Sequence, residues 1–171
     1  MEFEKAYQIH SDTIYSYIRM LVKDETLAED LTQDTFVKAF EGLSGFRHEA
    51  QTSTWLIRIA RNVTIDYIKK RKPLLFFSLE TGIDLLASKE NVERSVVDDE
   101  EAQDLYEKIS ELKRSYREVI MLRKIQEFSI AETAATLNWS EAKVKMTLQR
   151  ALKKLQEKYD TGEVFQDDNE S

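Results

Sequence analysis

The chain contains no cysteine, which excludes disulfides and thiolate-held metals. It has one proline, Pro73, and only four glycines, Gly42, Gly45, Gly82 and Gly162. Long segments therefore run without a breaker in helix-forming composition, and the expected fold is all-α. No apolar run approaches the ~18 residues a membrane helix needs. The two histidines, His10 and His48, stand apart, and no acid pair has a recognisable catalytic partner. An enzyme is therefore the least favoured class, and no metal, cofactor or small-molecule substrate is expected. The opening MEFEKAYQIH is acidic and polar, without the pattern of a signal peptide, which points to a cytoplasmic protein.

What is present is apolar mass and partitioned charge. With 42% hydrophobic and 33% charged residues, 171 residues suffice for one or two compact domains. The net charge of −7 opposes nucleic-acid binding only when taken whole. Residues 1–50 carry −5, 51–72 carry +5, 73–101 carry −6, 102–159 carry +4 and 160–171 carry −5. Two basic islands in an acidic chain suggest two nucleic-acid contacts without indiscriminate phosphate binding. Solvated helix faces are the alternative, although both islands coincide with amphipathic helices.

The second island holds the most informative stretch, Ser129 to Leu155. Ser129 and Glu132 have capping-box spacing, so a helix should begin there. Ala134 and Ala135 would let another helix approach closely, with Leu137 and Trp139 closing the core around a turn at Asn138. Ser140 then caps a second helix. Val144, Leu148, Ala151 and Leu155 form its apolar stripe, and Lys143, Thr147, Arg150 and Lys154 lie on another face. One face packs and the other suits a major groove, the arrangement of a helix-turn-helix.

The first island is a helix from Thr52 to Lys72, ended by Pro73. Its wheel groups Trp55, Leu56, Ile59, Ala60, Val63 and Tyr67 as the buried side. Thr54, Arg58, Arg61, Asn62, Ile65, Lys69 and Lys72 lie opposite, mixing cations for phosphates with an amide for a base edge. Ile57, Ile65 and Ile68 fall between the faces, so part of the exposed side is expected to meet a neighbour. Upstream, a helix over 2–22 groups Ile14, Tyr17, Ile18 and Leu21. Another over 24–43 places Leu27, Leu31, Val37 and Phe40 towards a core, with Asp30, Gln33, Asp34 and Lys38 outward. Between these helices and the basic one, a loop carries Phe46, Arg47 and His48, suited to stacking or hydrogen-bonding an unpaired base.

The runs AEDLTQDTFVKAF, TSTWLIRIARNVTIDYIKKRK and YREVIMLRKIQEFSIAETAATLNWSEAKVKMTLQRALKKL, in this order, resemble a bacterial RNA polymerase sigma factor of the extracytoplasmic-function group. The resemblance covers nearly all of residues 10–158. It implies a sigma-2-like domain of three to four helices over 1–72 and an acidic linker over 73–101. A sigma-4-like helix-turn-helix domain over 102–159 and a disordered acidic tail over 160–171 follow.

The resemblance also assigns surfaces. Asp30, Gln33, Asp34 and Lys38 match the segment that docks on the β′ clamp of core RNA polymerase, and the second domain would meet the β flap. Phe46, Arg47, Thr54, Trp55, Arg58, Arg61, Asn62 and Lys69 match the segment that holds and opens the promoter −10 element. Ser140, Lys143, Lys145, Met146, Thr147, Gln149 and Arg150 match the −35 reader. Many relatives carry threonine, arginine, serine and arginine where this chain has Lys143, Lys145, Met146 and Thr147, so its −35 preference is expected to differ. A membrane-anchored anti-sigma protein is the implied inhibitor, which would hold the factor at the membrane. The 29-residue connector would average about 30 Å if flexible and reach about 95 Å if extended. Its DDEE segment, 98–101, reads either as disordered linker or as an acidic occupant of a nucleic-acid channel. A free-standing helix-turn-helix regulator and a protein-binding adaptor are the competing classes.

Overall fold

The structure, a computed structural model, describes residues 3–46, 51–71 and 99–167, with side chains described as far as Thr161. The first half is built of α1 (Phe3–Val22), α2 (Glu25–Glu41), a 3₁₀ turn at Leu43–Gly45 and α3 (Thr52–Arg71). The second comprises α4 (Glu100–Ser110), α5 (Arg114–Ile120) running into a π turn at Met121–Ile125, α6 (Ile130–Leu137) and α7 (Glu141–Asp167). Among the described residues there is no strand, as the composition predicts. The connector over 72–98, including Pro73, lies outside the described residues.

Helix starts follow local chemistry. Asp24 accepts from the Leu27 amide at 2.9 Å, and Ser129 and Glu132 complete the capping box at 3.0 and 2.7 Å. Ser140 accepts from the Lys143 amide at 3.1 Å. Asp99 caps α4, whose first turn holds Glu100 and Glu101, where acids meet the positive end of the helix dipole. The last residues of the DDEE segment therefore begin a helix rather than extend the linker.

Ile14, Tyr17, Ile18 and Leu21 of α1 are fully buried, as expected. On α2 the expectation fails for Val37 and Phe40, which are 58% and 62% exposed. Phe36 and Ala39 occupy the core instead, beside Thr32 and Thr35. The threonines can be buried because each hydroxyl donates to the carbonyl one turn back, Ala28 and Leu31, at 2.7 Å. Bulk was thus a poorer guide to facing than helical register.

α3 is enclosed on more than one side, because it packs against α1 and α2 and also against α6. Ile57, Ala60 and Ile68 are fully buried, as are Thr54 and Thr64, and Ile65 is largely buried. Trp55, Ile59 and Tyr67, expected inside, are only partly buried. Ala135 is exposed, and Ala134 alone makes the close approach. The α7 stripe holds: Val144 and Ala151 are buried, with Leu148 and Leu155 packed against them. The tail expected to be disordered from residue 160 is helical through Asp167. Side-chain pairs one turn apart, Lys154 with Glu157 at 3.2 Å and Gln156 with Asp160 at 3.1 Å, support α7 up to that point.

The buried apolar residues of both halves form one contiguous cluster. α1 packs against α5 and α3 against α6, so the two halves meet face to face.

Candidate nucleic-acid interface

Three surfaces carry the residues singled out from the sequence. On α2, Asp30, Gln33, Asp34 and Lys38 all project outward at about one-turn spacing. Val37 lies within this face, an apolar side chain among polar ones. A groove of about 320 Å³ separates Asp30, Gln33 and Asp34 from Tyr67 and Arg71 of α3. Acids here oppose the cationic end of α3, so the first domain presents both signs of charge side by side.

The second surface lies at the other end of the α2–α3 seam. Phe46 stacks on Trp55 with ring centroids 4.6 Å apart and planes tilted by 36°. Trp55, Ile59 and Asn62 of α3 line a groove of about 400 Å³ with Lys38, Gly42 and Gly45. The groove is large enough for a planar heterocycle, and it offers an indole face, an amide and a cation. Asn62 and Lys69 are exposed, and Arg58 is half-buried. Arg47 and His48 lie outside the described residues.

Two residues expected on this surface are not presented by it. Thr54 is 1% exposed, because α3 buries the face on which the helical wheel put it. Arg61 turns towards the second domain, where its Nε donates to Glu118 Oε1 at 2.8 Å. Tyr17 of α1 donates to the same oxygen at 2.9 Å, and Arg114 lies 3.6 Å from Oε2. Glu118 itself is 1% exposed. Burial, reinforced by the charge of Glu118, pushes the Tyr17 hydroxyl well above its ordinary value. Burial alone would lower the Arg61 guanidinium, but the carboxylate and its hydrogen bond outweigh that and raise it. Burial pushes neighbouring Arg117 down to about 10.

This polar cluster escaped sequence reasoning. The Arg114 and Glu118 spacing of one helical turn was visible, yet its partners lie 57 and 101 residues away.

The third surface is the start of α7. Lys145, Met146, Gln149 and Arg150 are exposed and Thr147 is half-buried. Ser140 is engaged as the helix cap. Lys143 rests its Nζ 4.4 Å above the Trp139 ring, a cation–π contact that holds the amine near the turn. Met146, 51% exposed, is the apolar residue of an otherwise polar face. Among the described residues no group of three His, Cys, Asp or Glu side chains converges as a metal site, and no helix is long and apolar enough to cross a membrane.

Residues 6–73 match the family Sigma-70 region 2, and residues 102–155 match Sigma-70, region 4. The chain is 33% identical to the ECF RNA polymerase sigma factor SigM of Bacillus subtilis over 95% of its length and 98% of that protein. It is 32% identical to SigX of the same organism, covering 90% of this chain and 81% of SigX. Among solved structures, CnrH in complex with the cytosolic domain of CnrY is similar at a TM-score of 0.66 and 26% identity. That likeness covers 93% of this chain and 88% of CnrH. The sigma factor RpoE bound to the anti-sigma factor NepR from Bartonella quintana shares the fold at a TM-score of 0.76 and 24% identity, over 91% and 95% of the two chains.

Proposed function

Because the chain belongs to the extracytoplasmic-function group of the sigma-70 family of RNA polymerase sigma factors, we propose that its three surfaces divide the work of transcription initiation among them. It is an alternative sigma factor that binds core RNA polymerase, recognises −10 and −35 promoter elements and promotes melting.

In this reading the outer face of α2, with Asp30, Gln33, Asp34 and Lys38, docks on the β′ clamp of the polymerase. The groove beside Trp55 receives a base extruded from the −10 element. Flipping a base costs a few kcal/mol of unstacking, and an aromatic platform with a polar rim offsets part of that cost. Phe46 covers Trp55, so the pair either parts to admit the base or extends the stack. Asn62 supplies a donor and an acceptor for a base edge, and Lys38 and Lys69 supply charge for phosphates. The exposed residues of α7 enter the major groove at −35, with Arg150 and Gln149 suited to base edges and Met146 to a thymine methyl.

Neither reader offers enough phosphate contacts to hold duplex alone in a chain of net charge −7. Polymerase fixes both readers on one scaffold, with the second domain on the β flap, and weak contacts then combine through effective concentration. An anti-sigma protein is the natural inhibitor, since RpoE is captured with one. A membrane-anchored form of that partner would keep this cytoplasmic factor at the membrane until released.

The observation that carries this reading is the Phe46–Trp55 stack at a groove lined by Asn62 and Lys38. Replacing the loop over 46–51 with glycine and serine should spare core polymerase binding and abolish permanganate reactivity at −10. Footprints that stay unchanged would refute base capture there. Gel shifts with and without core polymerase separate a sigma factor from a free-standing regulator, which would bind promoter duplex unaided.

A further inference from the structure

We propose that Trp139 is a positioning residue for promoter binding: its indole holds the ammonium of Lys143 at the edge of α7, aimed at a DNA phosphate rather than at a base. The inference rests on reading α7 as the −35 helix, and it divides the residues of that helix by what they contact.

Lys143 is the third residue of α7, and it is fixed at both ends. Its backbone amide donates to Ser140 Oγ at 3.1 Å, and its Nζ sits 4.4 Å from the centre of the Trp139 ring. The ring is itself anchored. Asn138 turns the chain at φ 56°, the Trp139 amide donates to the Ala134 carbonyl at 2.9 Å, and the indole packs, partly buried, against the core. Asn138, Trp139 and Ser140, consecutive in the chain, thus set where a single long side chain ends.

A lysine in this position works against the helix. A cation in the first turn opposes the helix dipole, whereas Glu141 at the same end complements it. Among the described residues no carboxylate pairs with Lys143, so the charge does not serve an ion pair within the fold. An exposed lysine ordinarily loses affinity to the ordering of its mobile stem when it binds. The indole orders that stem beforehand, and it approaches one side of the ammonium, which leaves N–H groups free for an anion. A cation kept ordered and unpaired where the helix disfavours it is explained by a ligand, not by the fold.

The chemistry of that ligand follows from the direction of the side chain. First-turn residues of a reading helix ordinarily face base edges. Stacking on Trp139, which precedes the helix, draws the amine back from the stretch of α7 that carries Thr147 and Arg150, one and two turns further on. The ammonium is a compact point charge without the planar fork that suits bidentate recognition, and a backbone phosphate needs no more than that. Lys143 therefore supplies affinity without sequence preference, and the preference stays with the exposed residues beyond it.

Holoenzyme assembled from the full chain and core polymerase, titrated onto promoter duplexes over a range of salt, tests this. Lys143→Met should weaken binding by a similar factor on every −35 sequence, and the slope of log affinity against log salt should become shallower by about one. Trp139→Leu should weaken binding about two- to fivefold with the slope retained, because the charge is still present. Trp139→Phe, which keeps a weaker ring, should fall between. In the Lys143→Met background neither Trp139 substitution should weaken binding further. Equal losses with and without Lys143 would make Trp139 merely structural, and a Lys143→Met variant with altered −35 preference at unchanged slope would make Lys143 a base contact; either result overturns the proposal. Trp139→Phe keeps the cycle readable if Trp139→Leu fails to fold. Arg150→Ala tells the two readings apart. If it lowers −35 discrimination while Lys143→Met changes nothing, the phosphate anchor falls and α7 remains the reader. If neither variant alters promoter binding, α7 is not the −35 helix and the anchor falls with it.

Discussion

Asn138 ends α6 at φ 56° and ψ 46°, in the left-handed region, and its amide and that of Trp139 both return to the Ala134 carbonyl. Asparagine tolerates this backbone where most side chains do not, which is how the turn dispenses with glycine. Asn138→Gly should leave thermal stability within about 0.5 kcal/mol, whereas Asn138→Val should cost about 1–2 kcal/mol. A calorimetric scan in which both variants melt together would show that the turn stores no such constraint. His10 offers a second test at this scale. Burial lowers its imidazole pKa in the fold, so the folded chain keeps it neutral while the unfolded chain takes a proton near pH 6.5. Its contribution is present above that pH and is lost as pH falls through the folded value. The midpoint should drop between pH 7 and 5.5 more steeply in wild type than in His10→Gln, and parallel curves would remove His10 from the account. Features legible at this scale were those whose cause is local: Ser129 with Glu132, and Ser140, need only three residues of context. Arg61 was read correctly as a cation of the α3 face and misread as solvent-facing, because Glu118, its acceptor, is brought to it only by the meeting of two domains.

At the scale of the element, α2 most clearly separates its packed face from the exposed face proposed to dock. Its inner face is closed by Leu27, Ala28, Leu31, Phe36 and Ala39, and its outer face carries Val37 among Asp30, Gln33, Asp34 and Lys38. An apolar side chain left outside contributes nothing to the fold it sits on, and it gains only when a partner covers it. Val37→Asp should therefore change the unfolding free energy by no more than about 0.5 kcal/mol. The same change should weaken core polymerase binding by roughly tenfold or more, as burying a charge at an interface centre does. Loss of stability with intact binding would reverse this assignment and return Val37 to the core. The period of the helix was legible in the sequence, and its phase was not. Val37 and Phe40 outweighed Thr32 and Thr35 by hydrophobicity, but a threonine that satisfies its own hydroxyl within the helix packs like a valine. On α3 the phase failed for another reason: a helix packed against α1, α2 and α6 buries more than one stripe, and a wheel drawn for a single face cannot represent it.

For the whole molecule, two readers on a cysteine-free, acidic chain act as one only when something else sets the distance between them. The connector over 72–98, 27 residues, would reach about 90 Å fully extended, little more than the about 85 Å between element centres about 25 base pairs apart. A tether working near its limit would make its length critical, whereas a scaffold that seats each domain independently would make it nearly irrelevant. These alternatives give different numbers. Doubling the connector with a 27-residue glycine–serine insert lowers effective concentration by roughly threefold, following the −3/2 power of length. If polymerase seats both domains, transcription from a promoter of native spacing should fall by no more than that factor. Inserting five base pairs between the elements turns the −35 groove to the opposite side of the duplex, and should cost far more than threefold with either connector. A longer connector that rescued the wider promoter would mean that the tether, not the polymerase, measures the distance.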